Sequence, residues 1–118
     1  MRFTNFLPAL ALVASTAATR IFIGSFGGKI ITADIDNEGR ITEVASTSDA
    51  GPQPGWQEIS PVNPNLLYTA ENNGPASALS AFKIESDGSL VKVSSRGSLE
   101  EPVSIAISPD GKTVLTAS

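Results

Sequence analysis

Leu79 to Val93, LSAFKIESDGSLVKV, lies over Ile30 to Val44, IITADIDNEGRITEV, with a constant shift of 49 residues. Ile35 falls on Ile84, Asp36 on Glu85, Gly39 on Gly88, Ile41 on Leu90 and Val44 on Val93. In each stretch an alternating run ends in an acid-and-glycine turn, and a second alternating run follows. Period-two alternation places apolar side chains on one face of an extended strand. Each stretch therefore reads as two antiparallel strands joined by a turn. A second match has a shift of 48: Pro54 falls on Pro102, Ile59-Ser60-Pro61 on Ile107-Ser108-Pro109, and Leu67 on Leu115. Two matches in the same order make a repeat of 48 to 49 residues. Four short strands fit that length, which is the size of a β-propeller blade.

The blade can be laid out along the chain. Strand one lies near Trp56 to Ser60 and again near Val103 to Ser108. Strand two lies near Leu66 to Ala70 and near Thr113 to Ala117, strand three near Ala78 to Ile84, and strand four near Ser89 to Ser95. Arg20 to Val44 supplies strands two, three and four of an earlier blade. The expected class is all-β: a partial β-propeller of about two and a half four-stranded antiparallel blades. After residue 18 no stretch holds apolar residues at helical spacing over three turns. A small β-sandwich unrelated to propellers would not need the 48-residue period.

Composition narrows the chemistry. The 118 residues contain no Cys and no His. There is no thiolate nucleophile, no zinc knuckle, no Ser-His-Asp triad and no imidazole proton shuttle. No metal site and no cofactor are expected. Eight Lys and Arg against twelve Asp and Glu give a net charge of −4. The cations are scattered, whereas a nucleic-acid surface needs them clustered.

Met1-Arg2, the apolar run Phe6 to Val13 and the small residues Ser15 to Ala18 follow the plan of a secretory signal peptide. The run is too short to span a membrane. Residues 1–18 are therefore expected to be a leader, and 19–118 the N-terminal blades of a secreted protein.

The order of IFIGSFGG (21–28), PGWQEISP (54–61), LLYTAEN (66–72), SAFKIESDGSL (80–90) and IAISPDGKTVL (105–115) resembles the lactonase, seven-bladed β-propeller family. That family includes 6-phosphogluconolactonases and fungal 3-carboxy-cis,cis-muconate lactonizing enzymes (cyclases). The resemblance implies a seven-bladed ring and opening or closing of a small carboxylated lactone. It also implies a channel mouth lined by the start of strand one and the loop from strand two to strand three. On that pattern Glu71 matches the family's acidic residue and is the candidate catalytic group. Trp56, Asn72 and Ser104 are the candidate substrate contacts, Trp56 and Ser104 standing at equivalent starts of strand one. The family commonly has G-P-C-H where this chain has Glu101-Pro102-Val103-Ser104, so Ser104 replaces a histidine. A serine hydroxyl does not titrate near neutral pH. This departure favours an alternative, a non-catalytic secreted propeller that binds a partner.

Each candidate has a plainer reading. Glu71 is also what a solvated acid in an Asn/Gly-rich loop looks like. A lone Trp on an inner strand more often packs one blade on the next. Asp34 to Gly39 imitates the start of a calcium loop, but position twelve would be Ala45, so a turn fits better. Gly27-Gly28-Lys29 lacks the Ser/Thr and the helix of a phosphate loop and reads as a hairpin. Seven blades need roughly 340 residues. The chain is accordingly expected to be the N-terminal fragment of a longer propeller, inactive alone, whose partners are the missing blades and a small-molecule substrate, with no nucleic acid and no membrane.

Overall fold

A computed structural model of the chain describes residues 18–98 and 101–118. The leader expected over residues 1–18 lies outside them, apart from Ala18. Among the described residues, nine strands form three antiparallel sheets. β1 (Thr19–Ser25), β2 (Lys29–Ile35) and β3 (Ile41–Thr47) make the first, in that order. β4 (Pro54–Ile59), β5 (Leu66–Glu71), β6 (Ala78–Ile84) and β7 (Leu90–Gly97) make the second. β8 (Ser104–Ile107) and β9 (Val114–Ala117) make the third. The second sheet is one complete blade, flanked by two partial ones. β1 lies beside β4, β4 and β5 lie beside β8, and β3 touches β7. The sheets thus stack face to face as successive blades do.

The core lies between the first two sheets. Ile30, Leu67 and Phe82 are fully buried there, with Ala50, Ile84 and Leu90 around them and Phe22 at the margin. The apolar residues of alternate positions meet because Leu67 pairs with Phe82 and Ile84 with Leu90, and paired residues project to one face. Polar ties cross the same seam. Thr32 Oγ1 donates to Gly88 O at 2.8 Å. Arg20, held within the first sheet by two charge-assisted bonds to its strand partner Asp34 at 2.9 and 3.1 Å, reaches across to Ser86 O at 3.3 Å. Gly88 has φ +91°, and a Cβ there would lie 2.9 Å from Thr32 Cγ2 and 3.0 Å from Val44 Cγ2. Its counterpart Gly39 has φ +82° and nothing within 4 Å, because the described residues place no sheet against that side.

The 49-residue match is structural as well as sequential. β2 and β3 slip register between Thr32 and Ala33, and β6 and β7 slip between Ala81 and Phe82, the positions that match under the shift. The residue left out of the pairing is Val44 in one sheet and Val93 in the other. Such a bulge increases the local twist of the strand pair.

One alignment needs correcting. Ile59 pairs with Leu67, but Ile107 pairs with Val114, so Leu67 corresponds to Val114 and not to Leu115. The cause is the turn. Ser60 N donates to Leu66 O, whereas Ser108 N donates to Thr113 O, one residue earlier. A one-residue change of register moves side chains to the opposite face. Leu115 consequently projects away from the second sheet and is 63% exposed.

Candidate functional site

Antiparallel pairing brings the β1–β2, β3–β4, β5–β6 and β7–β8 connections to one end of the stack. This end holds all four candidate residues. At the other end the turns are closed by aspartates. Asp36 Oδ1 accepts from Glu38 N and Arg40 N, and Asp110 Oδ1 accepts from Ser108 Oγ and Lys112 N. Asp36, the central acid of the calcium-like stretch, is thus a turn cap.

Glu71 is the last residue of β5, paired with Pro54 on one side and Ala78 on the other. It is 9% exposed, so it is not a solvated loop acid. It projects to the Leu67 and Thr69 face, toward the first blade. There its carboxylate lies against Gly51 of the β3–β4 connection, in the space a Cβ would occupy. Gly51 has φ +86°, which glycine adopts without steric cost. Among the described residues, no hydrogen bond or ion pair engages the Glu71 carboxylate. A carboxylate with free lone pairs that still reaches solvent is equipped to accept a hydrogen bond from a ligand.

Trp56 pairs with Ala70 across a bulge, and so projects to the face opposite Glu71. It is 41% exposed, and its indole Nε1 donates to Glu58 Oε2 at 3.3 Å. Between them Gln57 Nε2 donates to Pro54 O at 3.0 Å and to Thr69 Oγ1 at 3.3 Å, on the Glu71 side. Asn72 follows Glu71 and is half-buried, and its backbone N donates to Gln53 O at 2.9 Å. Ser104 opens β8, paired with Ala117, and is half-buried. The structure therefore places Glu71 and Asn72 together, Ser104 on the neighbouring inner strand, and Trp56 on the other face of the blade.

Sequence reasoning passed over Ser77. This residue is 1% exposed and ties two connections together. Its hydroxyl donates to Gly74 O at 2.7 Å and accepts from Asn73 N at 2.9 Å and from Glu101 N at 3.3 Å. Its carbonyl accepts from Ser98 N at 3.0 Å. Glu101 has φ +56°, the one left-handed non-glycine among the described residues. No signal in the sequence distinguishes Ser77 from an ordinary turn serine.

A shallow cleft of about 150 Å³ lies elsewhere, lined by Tyr68, Leu79, Ala81, Ser94 and Arg96. These residues share the face of the second blade that looks toward the two-stranded third sheet, where a four-stranded blade would continue. Among the described residues, no group of three or more His, Cys, Asp or Glu is placed to hold a metal ion.

Comparison with known proteins agrees with this architecture. The sequence profile of the family described as "Lactonase, 7-bladed beta-propeller" matches residues 13–118. A protein of Arthroderma benhamiae named "Probable 6-phosphogluconolactonase" is 32% identical over 116 residues, which are 98% of this chain and 29% of that protein. The crystal structure of a "putative 6-phosphogluconolactonase" from Bacteroides fragilis superposes with a TM-score of 0.68 at 24% identity, over 87% of this chain and 32% of that one. A "putative 6-phosphogluconolactonase" from Bacteroides uniformis superposes with a TM-score of 0.66 at 23% identity, over 78% of this chain and 27% of that one. The chain spans about a third of the length of these relatives.

Proposed function

Because the chain belongs to the lactonase, seven-bladed β-propeller family, we propose that it forms the first blades of a secreted enzyme that opens a small carboxylated lactone. The substrate class suggested by the similar fungal protein is a phosphorylated sugar lactone. The observation that carries this reading is Glu71 at the mouth end: the residue packs against Gly51, and its carboxylate oxygens, unengaged among the described residues, stay open to solvent. In the proposed reaction Glu71 takes a proton from water as the water oxygen attacks the lactone carbonyl carbon. The ring C–O bond breaks, and the proton passes from Glu71 to the departing ring oxygen. Asn72, just beyond the end of β5, and Ser104, at the start of β8, supply hydrogen bonds to the substrate. Trp56, on the other face, serves the adjacent part of the mouth. The remaining blades complete the channel wall, so the 118-residue chain alone is expected to be inactive.

A second reading rests on Ser104. With serine where the family commonly has histidine, the ring would retain its shape and bind a small molecule without turning it over. Assays of the full-length protein on gluconolactone-type and muconate substrates separate the two. The enzyme reading expects turnover that Glu71→Gln lowers by about 100-fold, the usual contribution of a general base. Background rates with both substrate types would leave the binding module. Turnover unaffected by Glu71→Gln would remove Glu71 from the mechanism.

A further inference from the structure

The candidate residues sit on separate connections, and those connections are tied to one another. The β5–β6 connection carries Asn72. Its first residue is held by Gln53 O from the β3–β4 connection, and its last, Ser77, is held by Ser98 and Glu101 from the β7–β8 connection. Ser77 is the denser of the two ties, because one hydroxyl serves Gly74 O, Asn73 N and Glu101 N at once. The serine hydroxyl, with one donor and two acceptor sites, is used to capacity. The Glu101 end is held in a left-handed conformation, which is unfavourable for a residue with a Cβ. Strain of this kind persists only where the surroundings over-determine the backbone. Three residues beyond Glu101 the chain enters β8 at Ser104, and Pro102 between them is fully buried.

We propose that Ser77 is a positioning residue that sets the spacing between the Glu71–Asn72 end of β5 in one blade and the Ser104 start of β8 in the next. This proposal rests on the reading of Glu71 as the catalytic base. It assigns Ser77 no contact with substrate. Its role is to clamp the two connections so that a ligand touching both strand ends meets a preset distance, and misplacement by about 1 Å at a reacting group costs up to 100-fold in rate.

The test uses the full-length protein with Ser77→Ala, and Ser77→Thr as the variant that keeps a hydroxyl. Turnover is expressed per folded molecule, well below the melting temperature. The expected result for Ser77→Ala is a roughly tenfold fall in kcat and faster amide exchange at Asn73 and Glu101. Ser77→Thr restores the larger part of both. A purely structural role would lower the melting temperature and leave kcat per folded molecule unchanged, and that result overturns the proposal. If Ser77→Ala does not fold, exchange in the wild-type protein decides: Asn73 and Glu101 amides as fast as those of a free loop also overturn it. Wild-type protein without lactonase turnover fails the catalytic reading itself. Active wild type with an indifferent Ser77→Ala fails this inference alone.

Discussion

Gly51 and Glu71 depend on each other. The carboxylate of Glu71 lies where a side chain at position 51 would begin, and the backbone there is left-handed at φ +86°. Gly51→Ala must therefore pay twice, in backbone strain and in displacement of the carboxylate. We expect a loss of about 2 kcal/mol in stability, read from denaturant melts, together with a fall in turnover of the full-length protein. An unchanged midpoint would mean that the β3–β4 connection moves freely away from Glu71. Glu71 also shows what a sequence conceals. An acid followed by Asn-Asn-Gly looks like a loop residue, and only the pairing with Pro54 and Ala78 reveals a strand end covered by another connection. Ser77 was illegible for a related reason. Its partner Glu101 is 24 residues away and is reached through the backbone, so no side-chain type marks the pair.

At the scale of elements, the strands were legible because alternating apolar residues and Gly- or Asp-bearing turns bound each one. The bulges at Val44 and Val93 were not, since an extra residue leaves the alternation on either side nearly intact. The off-by-one match of Leu67 to Leu115 arose in the same way, from a turn whose shortening only its hydrogen bonds reveal. The seam between the first two blades makes an element-level prediction. The Arg20 guanidinium hydrogen-bonds Asp34 and holds its carboxyl below the ordinary value of 3.8. Asp36, beside Arg40, and Asp87, which accepts from Ser89 N, are lowered as well. A carboxyl depressed in the folded state stabilises fully above its unfolded value, and that contribution is lost as pH falls through the folded one. Stability should accordingly be flat from neutral pH down to the ordinary aspartate range and fall below it. Asp34→Asn should flatten part of that fall in melts followed against pH. An identical pH profile in Asp34→Asn would show that the Arg20–Asp34 pair, which orients Arg20 toward the seam, adds nothing to stability.

At the largest scale, the described residues form one complete blade between two partial ones. Gly88 is walled in by Thr32 and Val44 of the preceding blade, while its twin Gly39 meets nothing within 4 Å. Alanine at either site strains a left-handed backbone by about 1–2 kcal/mol, but only at Gly88 must neighbouring side chains also move. In a ring closed by further blades, Gly39 would face the last blade as Gly88 faces the first. Melts of Gly39→Ala and Gly88→Ala in the full-length protein are therefore expected to show nearly equal losses. A Gly39→Ala loss about 1 kcal/mol or more smaller would show that no blade closes against the first sheet.

The turn between β8 and β9 is one residue shorter than its counterpart between β4 and β5, yet both pairs of strands continue in the same sense beyond it. Length variation has thus been absorbed at the end of the stack away from Glu71, Asn72 and Ser104. At the mouth end the connections are laced together through Gln53, Ser77 and Glu101. The two ends of one blade are thus closed differently, one by bonds within each turn and the other by bonds between connections. An epitope, a fluorophore site or a fused domain belongs in the 109–112 turn, where an added residue has a precedent within the same chain.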